Sequence, residues 1–268
     1  MVDLTTLEKT GKFPKLEIHQ LKDKIGLHLV VLYVILGVHR FPWSFAIWRG
    51  KDTHSHATLA LRLLACIPAF WVERFTVRVL ADSGFDSDEF IDGVSDMGLH
   101  GVIGSRANRL IGPGKHLSDL CYKGSKVQFK ACNTSVFASW YRLKRARQEV
   151  EWRYVISTRA ADGETIRRWG RRRWRVEAFF KTMKFRFGLD QFGQRTACGA
   201  FRFLVLGLLA FTLAFWQALE TIVDWEGLDW GVVARAAADD LLLDVQLLVA
   251  IREVERLKAI SAVRRIAC

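Results

Sequence analysis

The sequence predicts a mixed α/β protein: a sheet flanked by helices, with a β-rich insertion ahead of a strongly basic helix. Three observations carry this. The stretch GLHLVVLYVILGV (26–38) is apolar, β-branched and too short to span a membrane as a helix. A strand–helix–strand order follows over 75–106, and helical patterns fill the C-terminal part.

In chain order, 26–38 and 41–48 read as neighbouring strands, with His39-Arg40 and Pro42 near their turn. Residues 54–75 read as a helix broken near Pro68. FTVRVLAD (75–82) is a short buried strand ending in Asp82, followed by Ser83-Gly84. A helix follows, with Asp86 or Ser87 as its N-cap, then a strand at 101–106. From 107 to 150 the chain turns to Gly-rich hairpins with exposed basic groups. EWRYVISTRA returns to strand character. Residues 164–188 read as one basic helix and 197–219 as an apolar one. Residues 225–230 are a turn region, and an amphipathic helix or helix pair closes the chain. The expected organisation is a core in two parts (1–106 and 151–220), an insertion (107–150) and a C-terminal helical region (221–268).

The formal net charge is +12 and the sequence pI about 9.8, which favours a polyanionic partner, nucleic acid ahead of an anionic membrane. The five cysteines are scattered, with no CxxC or zinc spacing, and read as reduced thiols of a cytoplasmic protein. The start, MVDLTTLEKTGK, has no apolar signal region. Residues 203–219 reach the lower length limit for a span but read equally well as a buried core helix, so no membrane partner is expected. His54 and His56 sit in a loop with no partner acid and read as incidental.

The chemistry gathers on RRRWRVEAFFKTMKFRFG (171–188). Arg173, Glu177 and Lys184 are spaced i, i+4, i+11, which puts them within about 40° on one helix face. Phe180 shares that side, while Val176, Phe179 and Met183 supply a buried one. An exposed Arg173–Glu177 pair, worth only about 0.3–0.5 kcal/mol, would not account for Arg171, Arg172, Arg175, Lys181 and Arg186 on the same helix. Phosphates would, and Trp169 or Trp174 could stack on an unpaired base. Asp82 ends a strand, where α/β sheets hold ligands, and Asp3 opens the chain. Carboxylates brought together repel unless a cation joins them. With hard oxygen donors and no Cys/His cluster, the fitting ion is Mg²⁺ or Mn²⁺.

Asp3, Asp82 and Glu177, in that order, resemble the DDE triad of bacterial insertion-sequence transposases. VDLTTLEKTGK resembles the first-acid motif, and VLADSGFDS the second, with Ser83 where Arg is usual. RWRVEAFFKTMK resembles the YREK signature through Arg173, Glu177 and Lys184; Gly170 stands at its Tyr position, beside Trp169. The resemblance runs from Asp3 to about Leu219. It implies an RNase H-like fold with a β insertion, two metal ions (Mg²⁺, with Mn²⁺ as substitute) on Asp3, Asp82 and Glu177, and DNA contacts from Arg173 and Lys184, joined by Arg171, Arg172, Trp174 and Lys181. It implies excision and insertion by phosphodiester hydrolysis and strand transfer, without a covalent enzyme–DNA intermediate, by a homodimer on DNA. That family normally carries a helical end-recognition domain before the first Asp, here residue 3. The sequence is therefore expected to lack that domain, and an inactive DNA-binding remnant is the alternative.

Overall fold

The computed structural model describes residues 1–9, 13, 15–143, 151–221 and 229–266. Within them the chain forms two compact units, Met1–Leu204 and Val205–Cys268. The first is mixed α/β, as the sequence predicts.

Its first sheet is an antiparallel meander with an added strand. The elements are β1 (Val2–Glu8), β2 (His19–Leu21), β3 (Lys24–Leu36) and β4 (His39–Trp48). β3 is central, with β1 on one edge and β2 and β4 on the other. The first residues, Val2–Glu8, lie outside the strands expected from the sequence. They are themselves a strand: Val2–Glu8 pairs antiparallel with 26–32 of β3 and buries Val2, Asp3, Thr5 and Leu7.

Next come α1 (His56–Ala65) and α2 (Ala69–Arg74), split at Pro68 as expected. β5 (Arg78–Ala81) ends at Asp82, α3 (Asp88–Asp96) is capped by Ser87 rather than Asp86, and β6 (His100–Ser105) follows. The 107–150 stretch holds a small hairpin, β7 (Leu110–Gly112) and β8 (Lys115–His116), then β9 (Ser125–Val127) and β10 (Val136–Leu143). With β11 (Glu151–Ser157) the last two enter a five-stranded sheet of order β5-β6-β11-β10-β9. Only β5 and β6 are parallel in it. Residues 107–143 therefore include strands of the main sheet, not hairpins alone; residues 144–150 lie outside the described ones.

Strand alternation builds two cores from this second sheet. Val79, Ala81, Ile103, Val136, Ala138 and Ile156 face α1 and α3, where Ala60, Phe90, Ile91 and Val94 are buried. Leu80, Val102, Tyr141 and Val155 face the other way, onto Ile166 of α4 (Gly163–Arg172). α4 begins at Asp162, whose carboxylate accepts from the Thr165 amide at 2.9 Å.

The expected continuous helix over 164–188 is two helices. α4 ends at Arg172, and α5 runs Trp174–Phe187 with Arg173 at the joint. Gly188 closes α5 in the left-handed conformation (φ 60°), which other residues adopt at a cost.

In the second unit, α6 (Ala197–Thr221) continues past residue 204, and Phe211 and Phe215 stack on Trp230 of α7 (Trp230–Ile266) at 5.3 and 6.1 Å. By length and composition, Ala197–Glu220 could cross a membrane; little of it is buried. The expected turn at 225–230 lies outside the described residues as far as 228. The four described cysteines are free thiols.

Candidate active site

Three segments far apart in sequence build the site. Asp3 sits on β1, which packs beside β5, whose end carries Asp82. Glu177 sits in the first turn of α5. Val176, Phe179 and Met183 bury the opposite side of that helix, so Glu177, Lys181 and Lys184 are turned outward. Asp3, Asp82, Arg173, Glu177, Phe180, Lys181 and Lys184 line one open cavity of about 350 Å³.

The side chains are held individually. Asp82 Oδ1 accepts from the Gly84 amide at 2.8 Å, which fixes the turn after β5. Asp3 Oδ1 accepts from the Leu4 amide at 2.8 Å. The Arg173 guanidinium bridges the other two acids, at 3.3 Å from Asp3 Oδ2 and 2.6 Å from Glu177 Oε1. Arg173 and Asp3 are largely buried in this arrangement, while Glu177 stays more open. Lys184 Nζ donates to the Thr6 carbonyl at 2.8 Å and ties α5 to β1.

The electrostatics follow from that crowding. The Asp3 carboxyl is pushed up to about 7, first by burial and then by the Asp82 charge; Arg173 pulls it back and Glu177 adds to the rise. For Arg173, burial works against the charge, but Asp3 and Glu177 outweigh it and hold the guanidinium above its usual range. Lys184 lies below the usual lysine range, from burial and then from Lys24.

The other expected DNA-contact residues are spread more widely. Lys181 is exposed at the acid cavity. Trp174 lines a smaller recess with Asp82, Ser83, Gly170 and Arg173. Arg171 lies over the Tyr141 ring at 5.2 Å, and Arg172 opens onto an apolar cavity with Arg175, Trp71 and Trp169. Lys9, first of the Lys-Thr-Gly-Lys segment, donates to the Phe192 carbonyl; residues 10–12 lie outside the described ones.

Gly170, where the sequence resemblance expects Tyr, is enforced by packing. A Cβ built there would stand 2.7 Å from Cγ2 of Val155, so α4 crosses β11 too closely for any side chain.

Sequence reasoning missed the support beneath Asp82. Asp86 reads as a capping or surface acid, yet its side chain is almost fully buried. It accepts from Ser105 Oγ at 2.8 Å, the Arg106 amide at 3.0 Å and Arg109 at 2.8 Å. Burial raises its pKa, against the pull of Arg109. The guanidinium of Arg109 lies 4.0 Å over the Phe129 ring, so the segment following Asp82 is tied through Asp86 and Arg109 to the buried core around Phe129. The only sequence signal was an Arg placed shortly after a strand; the partner could not be named from it.

Among the described residues, no three His, Cys, Asp or Glu side chains are gathered into a ready-made metal cluster. His56 is the first residue of α1 rather than part of a loop, and it packs on the Trp48 ring at 4.7 Å.

The sequence of residues 2–213 matches the family described as Transposase DDE domain. The chain belongs to this family. No curated protein matches it. Among solved structures, this DDE-domain chain is similar to a piggyBac transposase in a synaptic complex with hairpin DNA, determined by cryo-EM. The TM-score is 0.52 at 13% identity, over 88% of this chain and 50% of that one. At that identity the likeness is one of fold, and this chain spans half the length of that transposase.

Proposed function

We propose that this chain is a transposase that cleaves DNA strands and joins them to a target, with Asp3, Asp82 and Glu177 as ligands of two Mg²⁺ ions, or Mn²⁺ in their stead. The observation that carries the reading is the single cavity lined by all three acids together with Arg173, Lys181 and Lys184. Family membership and the DNA in the piggyBac complex support it.

The donor set fits a hard divalent cation. The oxygens are carboxylates, and Asp3 has its acidity suppressed by burial and by neighbouring carboxylates, a repulsion such an ion would relieve. Bound there, Mg²⁺ would supply Lewis acidity, making water or a 3′-hydroxyl a better nucleophile and offsetting charge on the leaving oxygen. The chain's own groups do the rest. Lys181 and Arg173 hold backbone phosphates, Trp174 offers a ring for an unpaired base, and Lys184 fixes α5 to β1 while keeping N–H donors for DNA. Arg171 and Arg172 extend the basic track along α4. The setting we infer is cut-and-paste movement of an insertion sequence by a homodimer on DNA, in the cytoplasm, on an RNase H-like core whose insertion spans 107–150.

The test is nicking of supercoiled plasmid by the purified chain in Mn²⁺, with chelator and Glu177→Gln as controls. Cutting is expected only with metal and Glu177 both present. Salt-sensitive DNA binding without cutting, equal in wild type and Glu177→Gln, would instead identify a DNA-binding remnant.

A further inference from the structure

In the cavity the position between Asp3 and Glu177 is held by a side chain of this protein. Arg173 reaches both acids, and Asp82 adds a third negative charge to the same surroundings. One guanidinium therefore balances part of the charge of three carboxylates. A divalent cation taking the same oxygens would meet that guanidinium as a like charge at close range, so the two compete for one set of donors.

Arg173 is built to leave. It lies at the joint of α4 and α5, not inside either helix. Besides its bonds to the two acids, its guanidinium lies 5.6 Å from the Trp174 ring. A DNA phosphate offers two oxygens that the planar guanidinium can take as a bidentate, charge-assisted pair, in place of one bond to each of two acids. Lys181, exposed at the same cavity, would bring phosphates within reach of Arg173.

We propose that Arg173 stands in for the cation until DNA draws it away, so that the chain takes up divalent metal tightly only with DNA bound. This rests on the reading of Asp3, Asp82 and Glu177 as metal ligands. The coupling is reciprocal: whatever factor DNA adds to metal affinity, metal adds to DNA affinity. Its effect is to keep the hydrolytic centre unloaded while the protein is free.

The experiment is a Mn²⁺ titration of the full chain, read by loss of the free-ion electron paramagnetic resonance signal, with and without a DNA duplex. It is run at pH 8.5, above the Asp3 range, so that protons do not confound the comparison. Asp82→Asn supplies the background, including Mn²⁺ held by DNA itself. Duplex is expected to tighten Mn²⁺ binding to wild type at least tenfold. Arg173→Gln without DNA is expected to bind within twofold of wild type with DNA, and to gain less than twofold from duplex. Arg173→Lys, which cannot reach both acids at once, should fall between. Equal Mn²⁺ affinity of wild type, Arg173→Gln and Arg173→Lys in the absence of DNA would overturn the proposal, as would an undiminished duplex effect in both variants. If Asp82→Asn removes no Mn²⁺ binding from any form, the metal-ligand reading itself fails, which is a separate result.

Discussion

Gly170 shows how far one position depends on what lies opposite. That Gly stands where the resemblance expects Tyr was visible in the sequence; the packing around it was not, because Val155 reaches Gly170 only through the fold. Gly170→Tyr is expected to destabilise the chain by about 1–3 kcal/mol or more through overpacking against Val155. Urea unfolding measures this, and Val155→Ala in the same chain should recover part of the loss, because the two sites share one clash. A loss unchanged by Val155→Ala would put the strain elsewhere. Asp86 teaches the same lesson with charge. In the run DSGFDSDE it reads as solvated, yet it is buried against Arg109. Arg109→Met would leave that acid without its cation and should cost about 3–5 kcal/mol, more than the loss of an exposed pair.

At the scale of elements, the parts written in local pattern were legible. The split at Pro68, the strand ending in Asp82, the Ser87 cap and the buried side of α5 all follow from spacing within a few residues. The break at Arg173 was not, since no proline or helix-stopping glycine marks it, and the entry of β9 and β10 into the main sheet depends on pairing with distant strands. The same sheet holds a titratable group in its interior. His100 on β6 accepts at Nδ1 from Arg78 at 3.3 Å and donates from Nε2 to Ser157 of β11 at 2.8 Å, whose hydroxyl donates to the Arg159 carbonyl. Burial, then Arg78 and Arg159, lower its pKa to about 4. The unfolded chain, with His near 6.5, therefore binds more protons than the folded one below that pH. Stability from this group is fully present above pH 6.5 and is lost as pH falls toward 4, by up to about 3 kcal/mol. Comparing the pH dependence of unfolding in wild type and His100→Asn isolates the effect: the variant should lack that part of the slope, and identical slopes would refute the assignment.

For the whole molecule, the candidate site joins the first strand to a helix that the sequence reaches only 170 residues later. Such a site cannot exist in the unfolded chain, so an ion held there stabilises the fold itself. At a free Mn²⁺ concentration one hundred times the dissociation constant, the gain is about 2.7 kcal/mol, seen as a rise in melting temperature. The gain should depend on pH, because Asp3 titrates at about 7 in the folded protein and must lose its proton to act as a ligand. Melting curves at pH 6 and pH 8 should thus show the larger Mn²⁺ shift at pH 8. Asp82→Asn should remove the shift at both values, whereas Asp88→Asn, on the outer side of the Arg109 pair, should retain it. A shift of equal size at both pH values would mean that the ion binds elsewhere on the chain, because any ion that takes Asp3 as a ligand must first displace its proton.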